Sequence, residues 1–353
     1  MAKKVTFILG SMAGGGAERV ISNLSEYYCT MNYDVNIITL LNDQVDYDLP
    51  DNVSLKYIST DKNRGISKVV KWVTTLRKIL IKEKPDIVIS FFAKINILVL
   101  LASILLKVPI FLSERNDPKL DNRGFVVKYL TYLLYPLSKG IIFQTKHAQA
   151  CFPKYIQRKS TIIPNPINVK YDFSSDKKLN HTIISVGKLM EQKNHKLLIE
   201  AFASIANKYP DFKLKIYGEG VLRYSLLKLI SEKNLEGRIL LMGREPKIFN
   251  AIYNADLFVL SSNYEGLSNS LLEAMALETP VISTNCAGSN ELIIDYKTGR
   301  IVNKNDSKAL SSAIEFMINN YEEAKSMAKR AKKTVSGFSL ISICKKWDSF
   351  TKI

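Results

Sequence analysis

The segment EGLSNSLLE places two carboxylates, Glu265 and Glu273, eight positions apart, with small and polar residues between them. The segment follows a short apolar run, Leu257–Leu260, which has the length of a buried strand. The residues after that strand predict a helix that begins near Ser268 or Asn269. One glutamate would therefore lie in a loop at the end of a strand, and the other about one turn inside a helix, roughly 6 Å further along its axis.

The start of that helix could hold an anion between the two carboxylates. Its first backbone amides, which have no partner within a helix, belong to Asn269, Ser270 and Leu271. A ligand with a phosphate in its middle and hydroxyl groups on both sides would place the phosphate at the amides. Glu265 would then accept from one polyol and Glu273 from the other. A nucleotide diphosphate sugar has this layout.

Three other loops carry residues that suit a diphosphate. SVGKLMEQKNH holds Gly187, Lys188 and Lys193 after a predicted strand, and two ammonium groups there could neutralise phosphate charge. LGSMAGGGAERV opens a helix with Gly15 and Gly16 but matches neither GxGxxG nor the P-loop, so a dinucleotide is a weak interpretation. LMGREP places Arg244 and Glu245 after another strand. Solvated loop lysines and a plain glycine turn, with Glu18 complementing the helix dipole, are the alternatives.

Apolar runs alternate with amphipathic stretches along both halves of the chain, which predicts parallel, doubly wound sheets. Predicted strands are Val5–Leu9, Val35–Leu40, Ile87–Ser90, Ile110–Ser113, Gly140–Gln144, Thr182–Val186, Lys213–Tyr217, Ile239–Met242, Leu257–Leu260 and Val281–Ser283. Pro164, Pro166 and a polar run break the alternation, which places a linker near Asn165–Asp176. We therefore expect two Rossmann-like domains at 1–166 and 173–336, with a C-terminal helix at 337–353 that returns to the first domain.

These motifs, in this order and each after a strand, resemble family 4 of the retaining glycosyltransferases of the GT-B fold. EGLSNSLLE resembles the E-x7-E motif of that family, and the resemblance extends over most of the chain. It includes Gly15, Gly16 and Glu18, the G-[RK]-L-x4-K pattern at Gly187, Lys188 and Lys193, YGEG, and the P-V-I-S-T segment. The chain looks most like bacterial enzymes that extend lipid-linked glycans for O-antigen, capsule or glycoprotein assembly. The implied fold is two Rossmann-like domains around an interdomain cleft.

The resemblance also implies a role for each matching position. Glu265 would contact hydroxyls of the donor sugar, and Glu273 would bind the ribose of the nucleotide. Lys188 and Lys193 would hold the diphosphate and stabilise the charge that develops on the departing nucleotide. Other positions implied at the donor are Gly15, Gly16, Gly187, Asn269, Ser270 and Leu271, with Arg244 and Glu245 bordering the base. The expected donor is a UDP-sugar, with no metal and no other cofactor.

One residue, Arg115, departs from the family pattern, and one short segment, Asp46–Asp48, resembles a motif of a different class of transferase. Relatives often carry a histidine where LSERNDP has Arg115, and an arginine cannot act as a base at neutral pH. Arg115 could bind a hydroxyl or the phosphate of the acceptor, or it could form a structural salt bridge with Glu114 or Asp117. The DxD at Asp46–Asp48 resembles the metal motif of transferases with another fold, but here we expect a solvated loop.

The chain carries a net charge of +17, and residues 1–170 hold +11 of it. Two basic, aromatic segments, GISKVVKWVTTLRKILIKEK and GFVVKYLTYLLYPLSKG, suit the surface of an anionic membrane, where a polyprenyl-diphosphate glycan acceptor would lie. The alternative is that both helices simply pack on the sheet. The charge is spread along the chain without a recognition module, so nucleic acid is not an expected partner.

The remaining composition predicts a cytoplasmic protein, bound peripherally to the inner face of the membrane. Four scattered cysteines and three histidines predict neither disulfides nor a metal site. No signal peptide is expected, because the apolar segment VTFIL is too short for one, and Ile95–Leu106 is too short to span a bilayer. Two other functions would use some of the same residues: a glycoside hydrolase with Glu265 and Glu273 as its carboxyl pair, and a non-catalytic nucleotide-sugar or membrane-binding module. A retaining hydrolase needs its carboxyl groups about 5 Å apart across the glycosidic bond, and the helix geometry and basic loops argue against that.

Overall fold

The computed structural model describes residues 2–59, 65–121, 123–169 and 179–352, which form two compact units. The first unit comprises residues 1–166 and 338–353, and the second comprises residues 167–337. Part of the predicted linker, residues 170–176, lies outside the described residues. Each unit contains one parallel sheet with helices on both faces.

The first unit has a seven-stranded sheet in the order β3-β2-β1-β4-β5-β6-β7. Its strands are Lys4–Leu9 (β1), Asp34–Thr39 (β2), Ser54–Tyr57 (β3), Ile87–Phe91 (β4), Ile110–Ser113 (β5), Gly140–Phe143 (β6) and Ser160–Ile162 (β7). Its helices are Gly16–Thr30 (α1), Gly65–Glu83 (α2), Ala93–Ser103 (α3), Gly124–Leu134 (α4), Lys146–Ala150 (α5) and Lys154–Gln157 (α6). The strand order reverses direction between β1 and β4, where ligands of such sheets commonly bind.

The second unit has a six-stranded sheet in the order β10-β9-β8-β11-β12-β13. Its strands are Thr182–Val186 (β8), Lys213–Tyr217 (β9), Ile239–Gly243 (β10), Leu257–Leu260 (β11), Val281–Thr284 (β12) and Arg300–Val302 (β13). Its helices are His195–Ile205 (α7), Arg223–Glu232 (α8), Ile248–Tyr253 (α9), Asn269–Ala276 (α10), Ala287–Leu292 (α11), Ser307–Asn319 (α12) and Tyr321–Val335 (α13). Here the order reverses between β8 and β11.

The last helix, Leu340–Thr351 (α14), belongs to the first unit. Its Trp347 is fully buried in a cluster with residues of β1, β4 and α1, including Phe7, Phe91 and Tyr28. The Trp347 and Phe91 rings stack with their centroids 6.2 Å apart. A second cluster fills the opposite face of the sheet, where α2, α3 and α4 lie.

The ten strands predicted from the sequence are confirmed to within one residue at each end, but three strands were missed. The missed strands, β3, β7 and β13, lie at edges of the two sheets and contain three or four residues each. None of these three carries a continuous apolar run to mark it in the sequence, whereas the fourth edge strand, β10, carries the run Ile239–Met242 and was predicted.

The apolar segment Ile95–Leu106, which follows β4, is helical only in its first part. Helix α3 ends at Ser103, and Leu105 has a φ of 64° and is 93% exposed. Most of α3 is buried, as expected for a helix enclosed by α2 and α4. Within the described residues, no helix combines the length and the apolar character that a bilayer crossing requires.

Candidate active site

Two loops meet at the carboxyl ends of β8 and β11, the neighbouring strands where the order of the second sheet reverses. One loop runs from residue 187 to 194 and the other from 261 to 268. The Asn263 amide donates to the Gln192 carbonyl at 2.8 Å, and Gln192 Nε2 donates to the Tyr264 carbonyl at 3.0 Å. These bonds hold the loop with the two lysines against the loop with Glu265.

Lys193 and Glu265 form an ion pair across the two loops. Lys193 Nζ lies 2.5 Å from Glu265 Oε1, and the Ser262 hydroxyl donates to the same oxygen at 2.7 Å. The side chains of Lys193 and Glu265 are 17% and 8% exposed. The methylene groups of Lys193 pass over Gly187, where an added Cβ would lie 3.1 Å from Lys193 Cδ. The motifs predicted both residues. No feature of the sequence indicated that they contact one another, or that Ser262, three positions before Glu265, donates to the glutamate.

Helix α10 begins at Asn269, as predicted, and its N-cap is Ser268. The Ser268 hydroxyl accepts from the Leu271 amide at 3.4 Å, so one of the three amides expected to face a ligand already has an intrahelical cap. The Ser270 hydroxyl donates to the Val186 carbonyl at 3.1 Å, which ties the helix start to the end of β8. Glu273 is buried in the second turn. Roles for these residues at a ligand stay predictions.

Glycines allow the neighbouring backbones to approach these loops closely. A Cβ at Gly218, in YGEG, would lie 2.0 Å from the Gly187 carbonyl oxygen, and the φ of Gly218 is 139°. A Cβ at Gly288, in α11, would lie 1.7 Å from the Gly266 carbonyl oxygen. The glycines of YGEG and of the segment after β12 therefore shape the two loops through backbone contact.

His195 is the first residue of α7 and directly follows the loop of residues 187–194, which carries Lys188 and Lys193. It is 3% exposed, and burial, reinforced by the charge of Lys193, lowers its pKa to about 4. The imidazole is therefore neutral at pH 7. No motif singles out this histidine, because its burial and its proximity to Lys193 are properties of the tertiary structure.

The other donor-side residues of the second unit are exposed. Lys188 lies on the surface of the first loop, and Arg244 and Glu245 lie on the surface after β10. Glu245 also lines a groove of about 710 Å³ on the second sheet. Tyr217 lies in the same groove, and burial, together with the charge of Glu245, raises its pKa. Glu245 therefore lies beside an open groove and is exposed to solvent, whereas the side chains of the Lys193–Glu265 ion pair are largely buried.

The glycine-rich loop of the first unit follows β1. Gly15 is the N-cap of α1, and a Cβ there would lie 2.2 Å from Glu18 Oε2, so Glu18 folds back over the glycines. The Tyr47 hydroxyl donates to the Gly15 carbonyl at 2.7 Å. Tyr47 is the middle residue of the DxD, so this segment packs on the glycine loop. The expectation of a solvated loop is correct for the exposed Asp48 but wrong for the half-buried Asp46.

Arg115 lies after β5 in the first unit and is 6% exposed. Its guanidinium lies 4.9 Å from the Phe91 ring centroid and 5.5 Å from that of Trp347, and Nη1 donates to Asn165 Oδ1 at 2.9 Å. Burial lowers the pKa of Arg115 to about 9, which leaves it protonated at pH 7.

The alternative of a salt bridge between Arg115 and Glu114 or Asp117 is not seen within the part of the chain that the structure describes. Glu114 instead accepts from Arg123 at 2.9 Å and from the Tyr135 hydroxyl. Asn96 Nδ2 contacts the Tyr135 hydroxyl at 3.0 Å, which extends the network into α3. Burial raises the pKa of Glu114 despite the adjacent Arg123. This network anchors the loop that carries Arg115.

Comparison with protein families accounts for nearly all of these loops. The model for glycosyltransferase family 4 matches residues 14–171, and the model for glycosyl transferases group 1 matches residues 170–334. The chain belongs to family 4 of the GT-B glycosyltransferases. The two matches together cover residues 14–334, which include every strand except β1 and all but the start of the glycine-rich loop.

Relatives and solved structures agree with this assignment. A Campylobacter jejuni N-acetylgalactosamine-N,N'-diacetylbacillosaminyl-diphospho-undecaprenol 4-alpha-N-acetylgalactosaminyltransferase is 29% identical, over 97% of this chain and 98% of the relative. An Escherichia coli UDP-Gal:alpha-D-GlcNAc-diphosphoundecaprenol alpha-1,3-galactosyltransferase is 27% identical, over 92% and 90%. The crystal structure of Anabaena Alr3699/HepE in complex with UDP has a TM-score of 0.79, with 17% identity over 99% of this chain and 100% of that chain. The GT-B fold predicted from the sequence is confirmed, and the chain is a glycosyltransferase of glycan biosynthesis.

Proposed function

We propose that this enzyme transfers a hexose or N-acetylhexosamine from a UDP-sugar to an undecaprenyl-diphosphate-linked glycan, with retention of anomeric configuration. The product would serve bacterial surface polysaccharide or glycoprotein glycan synthesis. The buried contact between Lys193 and Glu265, at the point where the strand order reverses, is the observation that carries the proposal. The relatives named above act on diphosphoundecaprenol substrates, and one is a UDP-Gal enzyme, which supports the choice of donor and acceptor.

In this proposal Lys193 holds the diphosphate of the donor, and Glu265 holds hydroxyls of the sugar that is transferred. The two groups already contact one another, so a donor that binds both would enter a prearranged pair. Lys188, on the surface of the same loop, adds a second positive charge, and Glu273 binds the ribose. Negative charge grows on the diphosphate as the bond to the sugar breaks, so the lysines act mainly in the transition state.

Proton transfer in this reaction does not need a carboxylate base. The acceptor hydroxyl attacks the anomeric carbon, the bond between the sugar and the diphosphate breaks, and the hydroxyl proton passes to the leaving phosphate. Arg115, protonated at pH 7, cannot accept that proton but can bind a hydroxyl or phosphate of the acceptor. The charge of the lysines at the diphosphate replaces that of a metal ion, so we expect no metal requirement.

Substitution of the ion pair tests the proposal. Lys193→Ala and Glu265→Ala should each lower kcat by about 10²–10³-fold, because each removes a group that contacts the donor. Turnover is measured with a synthetic lipid-diphosphate sugar and a panel of nucleotide sugars, and NMR of the product reports its anomeric configuration. The matched control is Lys196→Ala, whose side chain is 69% exposed and pairs with Glu200 on the surface of α7.

Unchanged turnover in both variants would overturn the site assignment. Tight UDP binding without transfer to any lipid-linked acceptor would favour a binding module, and release of free sugar from a glycan without nucleotide would favour a hydrolase. An inverted product would leave the donor site in place but exclude retention.

We also propose that the first unit contacts an anionic membrane through α2 and α4, peripherally on the inner face of the cell membrane. Helix α4 exposes large apolar side chains rather than packing them on the sheet: Phe125 is 83%, Val126 67%, Tyr129 59% and Leu133 57% exposed. Helix α2 likewise buries only Leu76 and Leu80 among its described side chains. Exposed apolar and basic side chains together suit an interface with anionic lipid headgroups.

Vesicle binding tests the membrane contact. The double variant Phe125→Ser/Val126→Ser should bind anionic vesicles at least about tenfold more weakly, since it removes two side chains that would enter the interface. The matched control is Val221→Ser/Tyr224→Ser, which removes equally exposed side chains near the start of α8 in the second unit. Equal binding by all three proteins in a sedimentation assay would contradict the assignment of this face.

A further inference from the structure

Three side chains that bind metals well converge in the first unit, away from the proposed donor site. A carboxylate oxygen of Asp117, a ring nitrogen of His147 and the sulfur of Cys151 all lie within 4.8 Å of one another. Among the residues that the structure describes, these form the one group of three or more such side chains close enough to share an ion. The family assignment and the proposed transfer reaction use none of the three.

The backbone brings these ligands together from two adjacent strands. Asp117 follows β5, and His147 and Cys151 follow β6, so both segments leave the same edge of the sheet. His147 and Cys151 are four positions apart along α5 and its C-cap, so their side chains share one face of the helix. A helical pair at this spacing plus one ligand from a loop is a common way to build a zinc site.

Distances in the group are close to those that zinc requires. Ligand atoms around a tetrahedral Zn²⁺ lie about 3.5 Å apart, given bonds of about 2.0–2.3 Å. His147 Nε2 lies 3.6 Å from Asp117 Oδ1. Cys151 Sγ lies within 4.8 Å of both atoms, so it must move by up to about 1.5 Å to reach the same separation from both. At present Cys151 Sγ donates to the His147 carbonyl at 3.2 Å, a weak bond that a metal would replace.

Both segments are held firmly, so the ligands need little reorganisation. The loop with Asp117 is fixed by the ion pair of Glu114 and Arg123, and Asp117 Oδ1 accepts from the Lys119 amide at 3.0 Å. Phe152, next to Cys151, is buried with its ring centroid 4.8 Å from that of Phe143. The site is nevertheless open to solvent on one side, since the His147 side chain is 38% exposed.

We propose that Asp117, His147 and Cys151 bind one Zn²⁺ ion, with water at the fourth position. Thiolate and imidazole select Zn²⁺ over Mg²⁺ or Ca²⁺, which prefer all-oxygen sites. Thiolate and carboxylate together neutralise the charge of the ion. The metal would join the loop that carries Arg115 to α5, and it has no part in holding the donor diphosphate.

Cobalt spectroscopy on the full chain, with any affinity tag removed, tests this site. Co²⁺ should bind with one equivalent, give a thiolate-to-metal charge-transfer band and tetrahedral d–d bands, and be displaced by Zn²⁺ with a Kd of about 1 μM or tighter. Cys151→Ser should abolish the thiolate band, and both Cys151→Ser and His147→Gln should weaken Zn²⁺ binding at least about tenfold. Circular dichroism confirms that each variant is folded.

The matched control is Cys29→Ser, which removes another half-buried cysteine of the same unit. It should keep the band and the affinity of the unsubstituted protein. Three results would overturn the proposal: a thiolate band that persists in Cys151→Ser, a band lost equally in Cys29→Ser, or no saturable binding below about 100 μM. The readout is independent of transfer activity, so failure of the zinc site and failure of the proposed reaction are distinguishable.

Discussion

At the scale of single residues, His195 links the candidate site to pH. Burial lowers its pKa from 6.5 to about 4 in the folded protein, whereas in the unfolded chain it takes up a proton near 6.5. The contribution of neutral His195 to the free energy of unfolding is therefore complete above about pH 6.5, and it is lost as the pH falls towards 4. Over that window we expect His195 to account for roughly 3 kcal/mol of the loss in unfolding free energy.

Denaturant unfolding at several pH values between 4 and 7 checks this expectation. His195→Gln removes the titrating group, so its unfolding free energy should fall less steeply than that of the unsubstituted protein. Identical pH slopes would show that His195 is not held neutral by burial. The amide of glutamine keeps a polar group at the position, which limits the effect of the substitution on packing.

The motifs in the sequence identified individual residues of the candidate site, but they did not indicate which of these residues contact one another. Glu265 and Lys193 were both identified, yet their contact joins loops 72 positions apart. The resemblance singled out Arg115, but the actual partner of Glu114 is Arg123. Choosing between two arginines within one loop depends on which way each side chain turns from the backbone, and local sequence does not determine that direction.

At the scale of elements, the loops depend on glycines whose neighbours are backbone atoms. Gly288→Ala would place a Cβ 1.7 Å from the Gly266 carbonyl oxygen, and this backbone can yield only by displacing the loop that holds Glu265. We expect a loss of about 1–3 kcal/mol in stability and weaker binding of UDP, measured by denaturant unfolding and by calorimetry.

The matched control for this substitution is Gly237→Ala. A Cβ at Gly237 meets nothing within 4 Å, and the φ of this glycine is not in the left-handed region. The control should leave UDP binding unchanged. Equal effects of the two substitutions would mean that the contact between α11 and the Glu265 loop does not shape the site.

Elements with strong local signals were predicted well, and elements that depend on their surroundings were not. Central strands such as β1 and β11 are mostly apolar, because helices cover both faces of a parallel sheet. Strand β13 has three residues and starts with Arg300, which lies over the Tyr296 ring. This segment becomes a strand by pairing with β12, and its three residues are too few to show the alternation of apolar and polar residues that would predict a strand.

At the scale of the whole molecule, the chain builds its first unit from both of its ends. Cys344 and Trp347 of α14 lie in the same apolar cluster as Val5 and Phe7 of β1. Tyr27 of α1 also donates to Asp348 at 2.8 Å. The first unit therefore needs residues 338–353 in addition to residues 1–166, while the second unit is continuous in sequence.

This arrangement predicts that damage to α14 affects one unit selectively. Trp347→Ala removes a fully buried ring that stacks on Phe91 and covers Arg115, and such truncations cost about 3–5 kcal/mol. Hydrogen exchange should accelerate in peptides of β1 and β4, while peptides of β8 and β11 should keep their protection, since the second unit has a separate core. Ile341→Ala, at a position 61% exposed on the same helix, should change neither set.

The same variant separates stability from function at Arg115. UDP binding depends in our proposal on the second unit, so Trp347→Ala should leave the Kd for UDP unchanged at a temperature where the first unit remains folded. Transfer should fall, because the guanidinium loses one of the two rings that flank it. Trp347→Phe, which restores an aromatic face, should recover most of the activity. A variant that lost UDP binding and transfer together would show that α14 influences the donor site, contrary to the division of the chain into two units with separate cores.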